Sequence, residues 1–268
     1  MRRFVLACSL SSLVGLGLGC GGTTGDDAGM DGSDGPAGTQ AGDAESGAEA
    51  GSADGGSESG GVGLPCDPND MHAGEATYYD FADGSGNCSF PATPNDLMVG
   101  AMNHVDYAGS AVCGSCVRID GPDGSVDVRI VDQCPECPQG DIDLSPEAFA
   151  LIAPLAAGRV PITWQYVSCP VSSPVVYHFK DGSNPYWTAV QIRNHRHAIA
   201  TFAVEQDGAW VDVARLDYNY FVKDDGMGEG PLSFRITDVL GNVLEDSGIP
   251  LLADADAPGS GQFPACGG

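Results

Sequence analysis

The chain has 268 residues, a formal net charge of −26 at pH 7 and a sequence pI near 4.1. Nucleic acid and anionic membrane surfaces are therefore excluded as expected partners, because binding to phosphates needs clustered Lys and Arg. A neutral polysaccharide remains open as a partner, whereas acidic wall polymers are disfavoured by charge repulsion.

The N-terminal segment has the features of a secretory signal of the lipoprotein kind. It combines a basic start, an apolar run over residues 4–18 that is too short to span a bilayer, and a small residue before Cys20. These features predict a signal over residues 1–20 and an extracellular or cell-surface protein, which a lipid on Cys20 would anchor to the outer membrane. Gly17 stands where leucine is commoner in such signals, so cleavage without lipidation is the alternative.

Residues 21–61 consist almost wholly of Gly, Ala, Ser, Thr, Asp and Glu, without aromatic residues, Lys or Arg. Such a segment buries too little apolar surface to offset the entropy of ordering, and its like charges repel one another. The composition predicts a disordered acidic linker. Its expected function is that of a flexible tether, which lets the folded part search beyond the outer membrane surface. A solubilising spacer is the alternative.

The chain contains ten cysteines, of which two fall in the predicted signal. The remaining eight, an even number in a chain bound for an oxidising compartment, predict disulfides. The alternative is zinc, because Cys113 and Cys116, and again Cys134 and Cys137, have the Cys-x-x-Cys spacing of a four-thiolate ribbon. The pairing stays open, since eight cysteines allow 105 connectivities.

Short strand signals follow one another closely between residues 66 and 170, separated by Gly-rich turns. One helix is expected over residues 146–156, with Phe149, Ile152 and Leu155 on a shared apolar face. Many short strands with few helices predict a closed barrel.

Three aspartates, Asp132, Asp141 and Asp143, lie in segment 128–149, which joins a buried strand to the start of that helix. Asp132 comes where the strand ends, and Asp143 lies between Ile142 and Leu144. Strand alternation would turn the two apolar neighbours into the core and the carboxylate toward the opposite face. If that face is a groove, Asp143 is a candidate acid with a raised pKa, and a solvated acidic loop is the alternative.

Residues 171–266 carry strand and turn signals at the spacing of a β-sandwich. Trp210, flanked by apolar residues, is expected in the core. His195 and His197 are expected to be structural or solvent-exposed rather than metal ligands.

Four segments together resemble the expansins and the related family 45 endoglucanases. They read GEATYYD from Gly74, GNCSF from Gly86, VRIVDQCPECPQGDIDLSPEAF from Val128, and VQIRNHRHAIATFAVEQDGAWVDVARLDYNYFV from Val190. The resemblance implies a mainly all-β protein. Its parts would be a six-stranded double-psi β-barrel over residues 66–170 and an immunoglobulin-like β-sandwich that binds carbohydrate over residues 171–266, with a closing strand at 262–264.

The resemblance also implies a polysaccharide groove on the barrel. Asp143 matches the acid that the two families share, and Thr77 and Asp132 would hydrogen-bond a glucan strand beside it. Tyr78 is a further candidate for substrate binding in the groove. Bacterial expansins commonly have a tyrosine two residues after the aspartate that corresponds to Asp132, whereas this chain has Cys134 there.

On the second domain, the resemblance implies a flat aromatic platform formed by Tyr186, Trp187 and Tyr218. Aromatic faces cover the apolar C–H face of a β-linked glucan, and a row of rings matches a linear polymer. The family often has tryptophan at position 186, so the tyrosine found here implies a weaker platform.

The expected function is that of a secreted, non-hydrolytic expansin-like protein that binds cellulose or a related β-glucan and loosens polysaccharide networks. It would act without a cofactor or metal and as a monomer. One alternative is an inverting β-1,4-glucan hydrolase with Asp143 as general acid, which would need a separate base to activate water. Glu75 and Asp80 flank the groove residues, but neither stands in a convincing context for that base. The other alternative is a carbohydrate-binding lipoprotein without loosening activity.

Overall fold

A computed structural model describes residues 63–80 and 82–266 of the chain. In the first part of these residues, six strands close into a barrel. The strands are β1 (His72–Tyr78), β2 (Val99–Asn103), β3 (Cys116–Asp120), β4 (Ser125–Cys134), β5 (Ile142–Leu144) and β6 (Val160–Val167). Around the barrel they follow the order β1-β5-β2-β4-β3-β6, with β1–β5 and β2–β4 parallel and the other pairs antiparallel. Closure removes the unpaired edges that an open sheet would present.

Alternate residues of the barrel strands point inward and fill the interior. Along β6, Val160, Ile162 and Trp164 are buried, whereas the residues between them are exposed. Trp164 stacks on His72 with 4.0 Å between the ring centroids and donates its Nε1–H to the carbonyl of Gly140 at 2.7 Å. The barrel therefore has a packed core, and a ligand has to bind on its outside.

Two short helices accompany the barrel, α1 (His104–Tyr107) and α2 (Pro146–Phe149). Ser145 is the N-cap of α2, since its hydroxyl accepts a hydrogen bond from the N–H of Ala148 at 3.0 Å. This cap fixes the point where the chain turns from β5 into α2.

The helix predicted over residues 146–156 is wrong in its length, because α2 ends at Phe149. The chain leaves the helical path before Pro154, which lacks an N–H and disfavours helical geometry in the residue before it. Phe149 and Ile152 are buried as expected, but Leu155 is 41% exposed in a separate 3-10 turn.

Two four-stranded sheets form the second part of the described chain. Their strands are β7 (Val176–Phe179), β8 (Thr188–Arg193), β9 (Ile199–Gln206), β10 (Ala209–Asp212), β11 (Phe221–Lys223), β12 (Leu232–Asp238), β13 (Val243–Ile249) and β14 (Ala255–Pro258). One sheet has the order β10-β9-β12-β13 and the other the order β11-β8-β7-β14.

Aromatic side chains from both sheets meet in the core between them. Phe234 of β12 lies 4.9 Å from Tyr177 of β7 and 4.9 Å from Phe202 of β9, measured between ring centroids. Phe202 in turn lies 5.1 Å from Phe221 on the opposite sheet. The sheets therefore face each other as a sandwich, and the predicted fold class of a six-stranded barrel followed by a β-sandwich is confirmed. The strands of the two parts lie within the predicted ranges 66–170 and 171–266, whose limits stay predictions.

The closing strand of the sandwich is β14 (Ala255–Pro258), which pairs with β7, and the strand predicted at residues 262–264 is wrong. Phe263 is fully buried in the sandwich core, but its carbonyl accepts a hydrogen bond from the side chain of Arg196 and not from a neighbouring strand. Pro264, without an N–H, cannot continue a ladder at this point.

Trp210 was expected in the core and instead lies half-buried on β10, the edge strand of its sheet. The guanidinium carbon of Arg235 lies 4.3 Å from the centroid of its ring. The cation over the ring covers part of its apolar surface. Trp210 can therefore lie on an edge strand, although its apolar sequence neighbours predict a core position.

All eight cysteines outside the predicted signal form disulfides, as predicted. The pairs are Cys66–Cys266, Cys88–Cys113, Cys116–Cys169 and Cys134–Cys137. The four cysteines of the two Cys-x-x-Cys motifs are distributed over three different bonds, so the zinc-ribbon alternative is wrong.

The two histidines of the NHRH segment are buried and structural. Nδ1 of His197 lies 2.9 Å from a carboxylate oxygen of Asp238, and its Nε2 lies 2.6 Å from the hydroxyl of Ser168. Nδ1 of His195 lies 2.7 Å from the carbonyl of His197, and burial lowers the pKa of His195 to about 4. These contacts tie the segment after β6 to the sandwich.

The predicted signal and linker, with Cys20, lie outside the described residues, so their assignment stays a prediction. Among the described residues, no helix has the length and apolarity needed to cross a bilayer.

Candidate functional site

Thr77, Asp143 and Asp132 lie in one register row across four barrel strands. Thr77 of β1 is the pairing partner of Asp143 of β5. Ala101 of β2 then pairs with Asp143 on one side and with Asp132 of β4 on the other. Neighbouring strands lie about 4.8 Å apart, so the Cα atoms of the two aspartates are separated by about 10 Å. We refer to Thr77, Asp143 and Asp132 as the carboxylate row.

Asp143 is turned away from the barrel interior. Its neighbours Ile142 and Leu144 are fully buried, whereas Asp143 is half-buried, which is the predicted alternation. Burial raises the pKa of Asp143; a hydrogen bond of 2.5 Å from the hydroxyl of Thr77 opposes this shift, and the charge of Glu136 adds to it. A carboxyl group with a raised pKa can donate a proton or a hydrogen bond to a ligand.

Asp132 is held in place by two backbone amides. The N–H groups of Asn87 and Gln133 donate to its Oδ1 at 2.6 Å and 2.8 Å. Gly86 lies against the same side chain, and a Cβ at that position would come within 2.5 Å of the Cγ of Asp132. Only glycine leaves room for this close approach, so the loop before Cys88 fixes the orientation of the carboxylate.

Tyr79, which the sequence analysis did not select, lies beside both carboxylates of the row. Burial raises its pKa, and the charges of Asp132 and Asp143 raise it further. Its hydroxyl oxygen is buried and has no hydrogen-bond partner in the described part of the chain. The hydroxyl is therefore a candidate for bonding to a ligand at the row.

Tyr78, which was selected, is not brought to the carboxylate row. Its ring packs on Phe149 with 5.0 Å between the centroids, against the barrel core. Strand alternation was the signal that could have pointed to Tyr79, because residues two apart share a face and Tyr79 is two residues after Thr77. The role of Tyr78 in substrate binding stays a prediction.

A small disulfide loop borders the carboxylate row. Cys134 ends β4 two residues after Asp132 and is bonded to Cys137. Glu136, inside the loop, lies close enough to Asp143 for its charge to raise the pKa of that carboxyl. A crosslink and a negative charge thus replace the tyrosine that the resemblance leads one to expect here.

The three aromatic residues selected on the second domain border the sheet that contains β8 and β11. Tyr186 is 78% exposed, and Trp187 and Tyr218 are half-buried. Trp187 directly precedes β8 and Tyr218 precedes β11, and these antiparallel strands pair Thr188 with Lys223. Trp187 and Tyr218 therefore stand near opposite ends of the strand pair, spread along the strand direction. We refer to Tyr186, Trp187 and Tyr218 as the aromatic face.

Tyr218 lies in a turn between β10 and β11. Asn219 adopts a φ of 64°, and β11 begins only at Phe221. The ring of Tyr218 packs on the buried Tyr220 with 5.8 Å between the centroids, and the ammonium of Lys180 lies 5.2 Å from the centroid of Tyr220. These contacts hold the Tyr218 ring in place at the end of the sheet.

Hydrogen bonds connect the carboxylate row with the aromatic face. The side-chain amide of Asn87, whose backbone N–H binds Asp132, donates to the carbonyl of Asp217 at 2.9 Å. Tyr107 donates its hydroxyl proton to the same carbonyl at 3.1 Å. Since Asp217 directly precedes Tyr218, one short chain of bonds links a carboxylate of the row to a ring of the face.

Among the described residues, one group of side chains has potential ligand atoms close enough for a metal ion. The group is Cys66, His197 and Cys266, with ligand atoms within 4.8 Å of one another. The two cysteines are joined in a disulfide, so neither provides the thiolate that a metal would need.

Known proteins match both parts of the described chain. A family model described as lytic transglycolase matches residues 71–164. Expansin-YoaJ of Bacillus subtilis (strain 168) is 37% identical over 161 residues, which are 58% of this chain and 68% of the Bacillus protein. Expansin-like protein 2 of Dictyostelium discoideum is 33% identical over 165 residues, which are 58% of this chain and 40% of that protein.

Solved structures agree with these relatives. The apo expansin of Clavibacter michiganensis matches with a TM-score of 0.69 at 32% identity, over 73% of this chain and 99% of the Clavibacter chain. A mutant of that expansin in complex with cellohexaose gives the same values. Because the identity to the Bacillus expansin is 37% over more than two thirds of that protein, this chain belongs to the expansin family.

Proposed function

We propose that this protein binds a β-1,4-glucan such as cellulose along the carboxylate row and the aromatic face, and that it loosens glucan networks without hydrolysing them. The bond chain through Asn87 carries the proposal, because it links the two surfaces in a fixed relation, as the binding of one polymer strand to both would require. Support for the ligand class comes from the related Clavibacter expansin, a mutant of which forms a complex with cellohexaose.

In this mechanism the aromatic face holds the glucan flat and the carboxylate row perturbs it. The rings of Trp187 and Tyr218 stack on the apolar faces of successive sugars. Asp143, as a carboxyl with a raised pKa, donates a hydrogen bond to a sugar oxygen, while Asp132 accepts from a sugar hydroxyl. Binding energy realised at both surfaces then draws the strand away from its neighbours in the network.

The absence of hydrolysis is proposed from the surroundings of the carboxylates. Inverting hydrolysis needs a base that activates water, in addition to the acid. The carboxylate of Glu75 accepts a hydrogen bond from Arg159 at 2.8 Å, and Asp80 is exposed beyond the end of β1. Oδ1 of Asp132 already accepts hydrogen bonds from two backbone N–H groups, which orient this carboxylate for binding a sugar hydroxyl.

An inverting hydrolase with Asp143 as general acid is the second candidate function. Two observations favour it: the raised pKa of Asp143, and the match of residues 71–164 to a family model of lytic enzymes. The third candidate, a carbohydrate-binding lipoprotein without loosening activity, is favoured by the disulfide at Cys134, where a tyrosine is expected.

We further propose that the protein acts outside the cell, delivered by the signal over residues 1–20 and held by the linker 21–61 when Cys20 is lipidated. The barrel over residues 66–170 and the sandwich over residues 171–266 would be its two working domains. A monomer with one continuous binding surface is sufficient for this function.

The test uses the purified secreted chain on cellulose, xylan, chitin and peptidoglycan. We expect co-sedimentation with cellulose, faster extension of wet cellulose paper under constant load, and no reducing sugar above background. Sustained release of reducing sugar that disappears in Asp143→Asn would establish the hydrolase instead. Binding without any change in paper extension would establish the plain carbohydrate-binding protein.

A further inference from the structure

A cavity of about 390 Å³ lies apart from the proposed glucan surfaces. Its walls come from the barrel, including Phe90, Met98 and Arg129, and from the chain after β6, including Val171 and His195. It shares no residue with the carboxylate row or the aromatic face. Its volume falls within the range of pockets that bind small organic molecules, about 300–1,000 Å³.

Arg129 in the wall of this cavity has unused hydrogen-bonding capacity. Its Nε and Nη2 atoms are shielded from solvent and have no hydrogen-bond partner within the described ranges. Its guanidinium carbon lies 5.7 Å from the centroid of the Phe90 ring. By contrast, the six other described arginines each donate at least one hydrogen bond: Arg118, Arg159, Arg193, Arg196, Arg215 and Arg235.

A buried charged donor without a partner is costly, so the geometry calls for an acceptor. The planar fork of a guanidinium matches the two oxygens of a carboxylate, which accept two parallel N–H bonds. Because both nitrogen atoms are shielded from solvent, binding of a carboxylate in the cavity requires the Arg129 side chain to move.

The other residues that line the cavity restrict both the apolar part and the charge of a ligand. Met98, Val128 and Val171 present apolar surface, which favours an apolar body next to the carboxylate. Asp96 and Asp127 also line the cavity, and Asp127 already pairs with Arg118 at 2.7 Å. Their negative charges repel any anion, and the repulsion is stronger for a ligand with more than one charge, such as phosphate, than for a monocarboxylate.

We propose that this cavity is a second binding site, which takes a small monocarboxylate with an apolar body through Arg129. The site is independent of the proposed glucan function, because no residue of one surface contributes to the other. A ligand here would contact barrel and sandwich together, since Arg129 belongs to β4 while His195 follows β8.

Calorimetric titration of the full secreted chain tests the proposal with three probes: phenylacetate, glucuronate and inorganic phosphate. We expect phenylacetate to bind more tightly than either of the other two. Arg129→Gln should weaken its binding at least about tenfold. Arg235→Gln removes the same charge from a residue outside the cavity and should leave the binding unchanged.

A second variant keeps the test decisive if Arg129→Gln disturbs the fold, which circular dichroism would reveal. Val171→Trp fills the cavity from the chain after β6 without changing any charge, and it should also abolish phenylacetate binding. Three outcomes would overturn the proposal: no binding to the wild type, binding that survives both variants, or equal binding of phosphate. Tighter binding of glucuronate would overturn the assignment of an apolar body. Cellulose co-sedimentation of the same variants should match wild type, which separates failure here from failure of the glucan function.

Discussion

Asn87 donates its backbone N–H to Oδ1 of Asp132 over 2.6 Å, and its side-chain amide faces the opposite way, toward the sandwich. That amide donates to Tyr107 and to the carbonyl of Asp217, at 2.9 Å each. The next residue, Cys88, offers its carbonyl to the side chain of Gln191 at 2.8 Å. The loop that orients a carboxylate of the barrel is therefore the same loop that docks the sandwich.

Asn87→Ala is expected to separate these two roles. The backbone bond to Asp132 remains, but two side-chain bonds are lost, each contributing about 0.5–1.5 kcal/mol in typical cases. Because Asn87 is exposed, we expect a loss near the lower end of that range in the free energy of unfolding, measured by urea denaturation. Paper extension should fall more than cellulose binding does, since the aromatic face itself is intact.

The control for this variant is Asn69→Ala, which removes an exposed amide that bonds only within its own turn, to Asp67. It should leave stability and paper extension unchanged. If Asn87→Ala behaves like this control, the bond chain between the two surfaces has no functional role.

Local sequence patterns predicted the features that depend only on residues close in the chain, such as the face of a strand or the start of a helix. Alternation at Ile142 and Leu144 placed Asp143 on the outer face of β5, and Ser145 marked the start of α2. Tyr78 and Tyr79 show the limit of such patterns, because adjacent aromatic residues at the end of a strand point to opposite faces and local sequence does not say which face is the groove.

Long-range relations could not be predicted from local sequence patterns; only the family resemblance placed Thr77, Asp132 and Asp143 in one groove. The row of Thr77, Asp143 and Asp132 depends on the register of β1, β5, β2 and β4, which come from separate parts of the chain. The free side chain of Arg129 has no sequence signature either. Arg129 lies in the wall of a cavity that the segment after β6 helps to form, a long-range arrangement that local patterns do not encode.

The raised pKa of Asp143 should be visible in how the free energy of unfolding depends on pH. Burial raises its pKa in the folded protein above the ordinary value of about 3.9, so between these values the folded state binds more protons than the unfolded chain. The contribution of Asp143 to stability therefore falls as pH rises through that window and is constant above it. Asp143→Asn removes this loss and should gain stability relative to wild type as pH rises.

Urea denaturation at about pH 3 and about pH 7 measures the effect, with the exposed Asp80→Asn as the control for removal of a charge. A relative stability of Asp143→Asn that is the same at both pH values would mean that its pKa is not raised. Thr77→Val should widen the window, because the hydrogen bond from Thr77 lowers the pKa of Asp143.

The disulfides are expected to differ in their effect on stability. Cys66 and Cys266 are 200 residues apart, whereas Cys134 and Cys137 are three apart. In the chain-entropy model the long loop gives about 5 kcal/mol of stabilisation and the short one about 2 kcal/mol. Changing both cysteines of the first pair to Ala should therefore lower the free energy of unfolding by about 3 kcal/mol more than the same change in the second pair. Equal losses would show that the bonds act through native-state contacts and not through loop closure.

The two proposed surfaces should fail in different ways when each is changed alone. Tyr186 is 78% exposed, so Tyr186→Ala removes a ring without disturbing the core, and Tyr186→Phe keeps the ring as the matched control. A stacked ring contributes about 0.5–1.5 kcal/mol beyond the area it buries, so the alanine variant should bind cellulose several-fold more weakly and the phenylalanine variant nearly as well as wild type. Trp187→Ala removes a larger ring and should lower affinity about tenfold or more.

Asp143→Asn should show the opposite pattern, with normal cellulose binding and lost paper extension. The amide keeps the shape of the side chain and can still accept the hydrogen bond from Thr77, so the row stays in place. Its NH2 group can still donate a hydrogen bond to a sugar oxygen, but it cannot transfer a proton, so lost extension would show that loosening needs the ionisable proton of the carboxyl group and not hydrogen bonding alone. Equal loss of binding in Asp143→Asn and Trp187→Ala would mean that the carboxylate row is only additional binding surface. Unchanged extension in Asp143→Asn would mean that this carboxyl group has no part in loosening, whatever the aromatic face contributes.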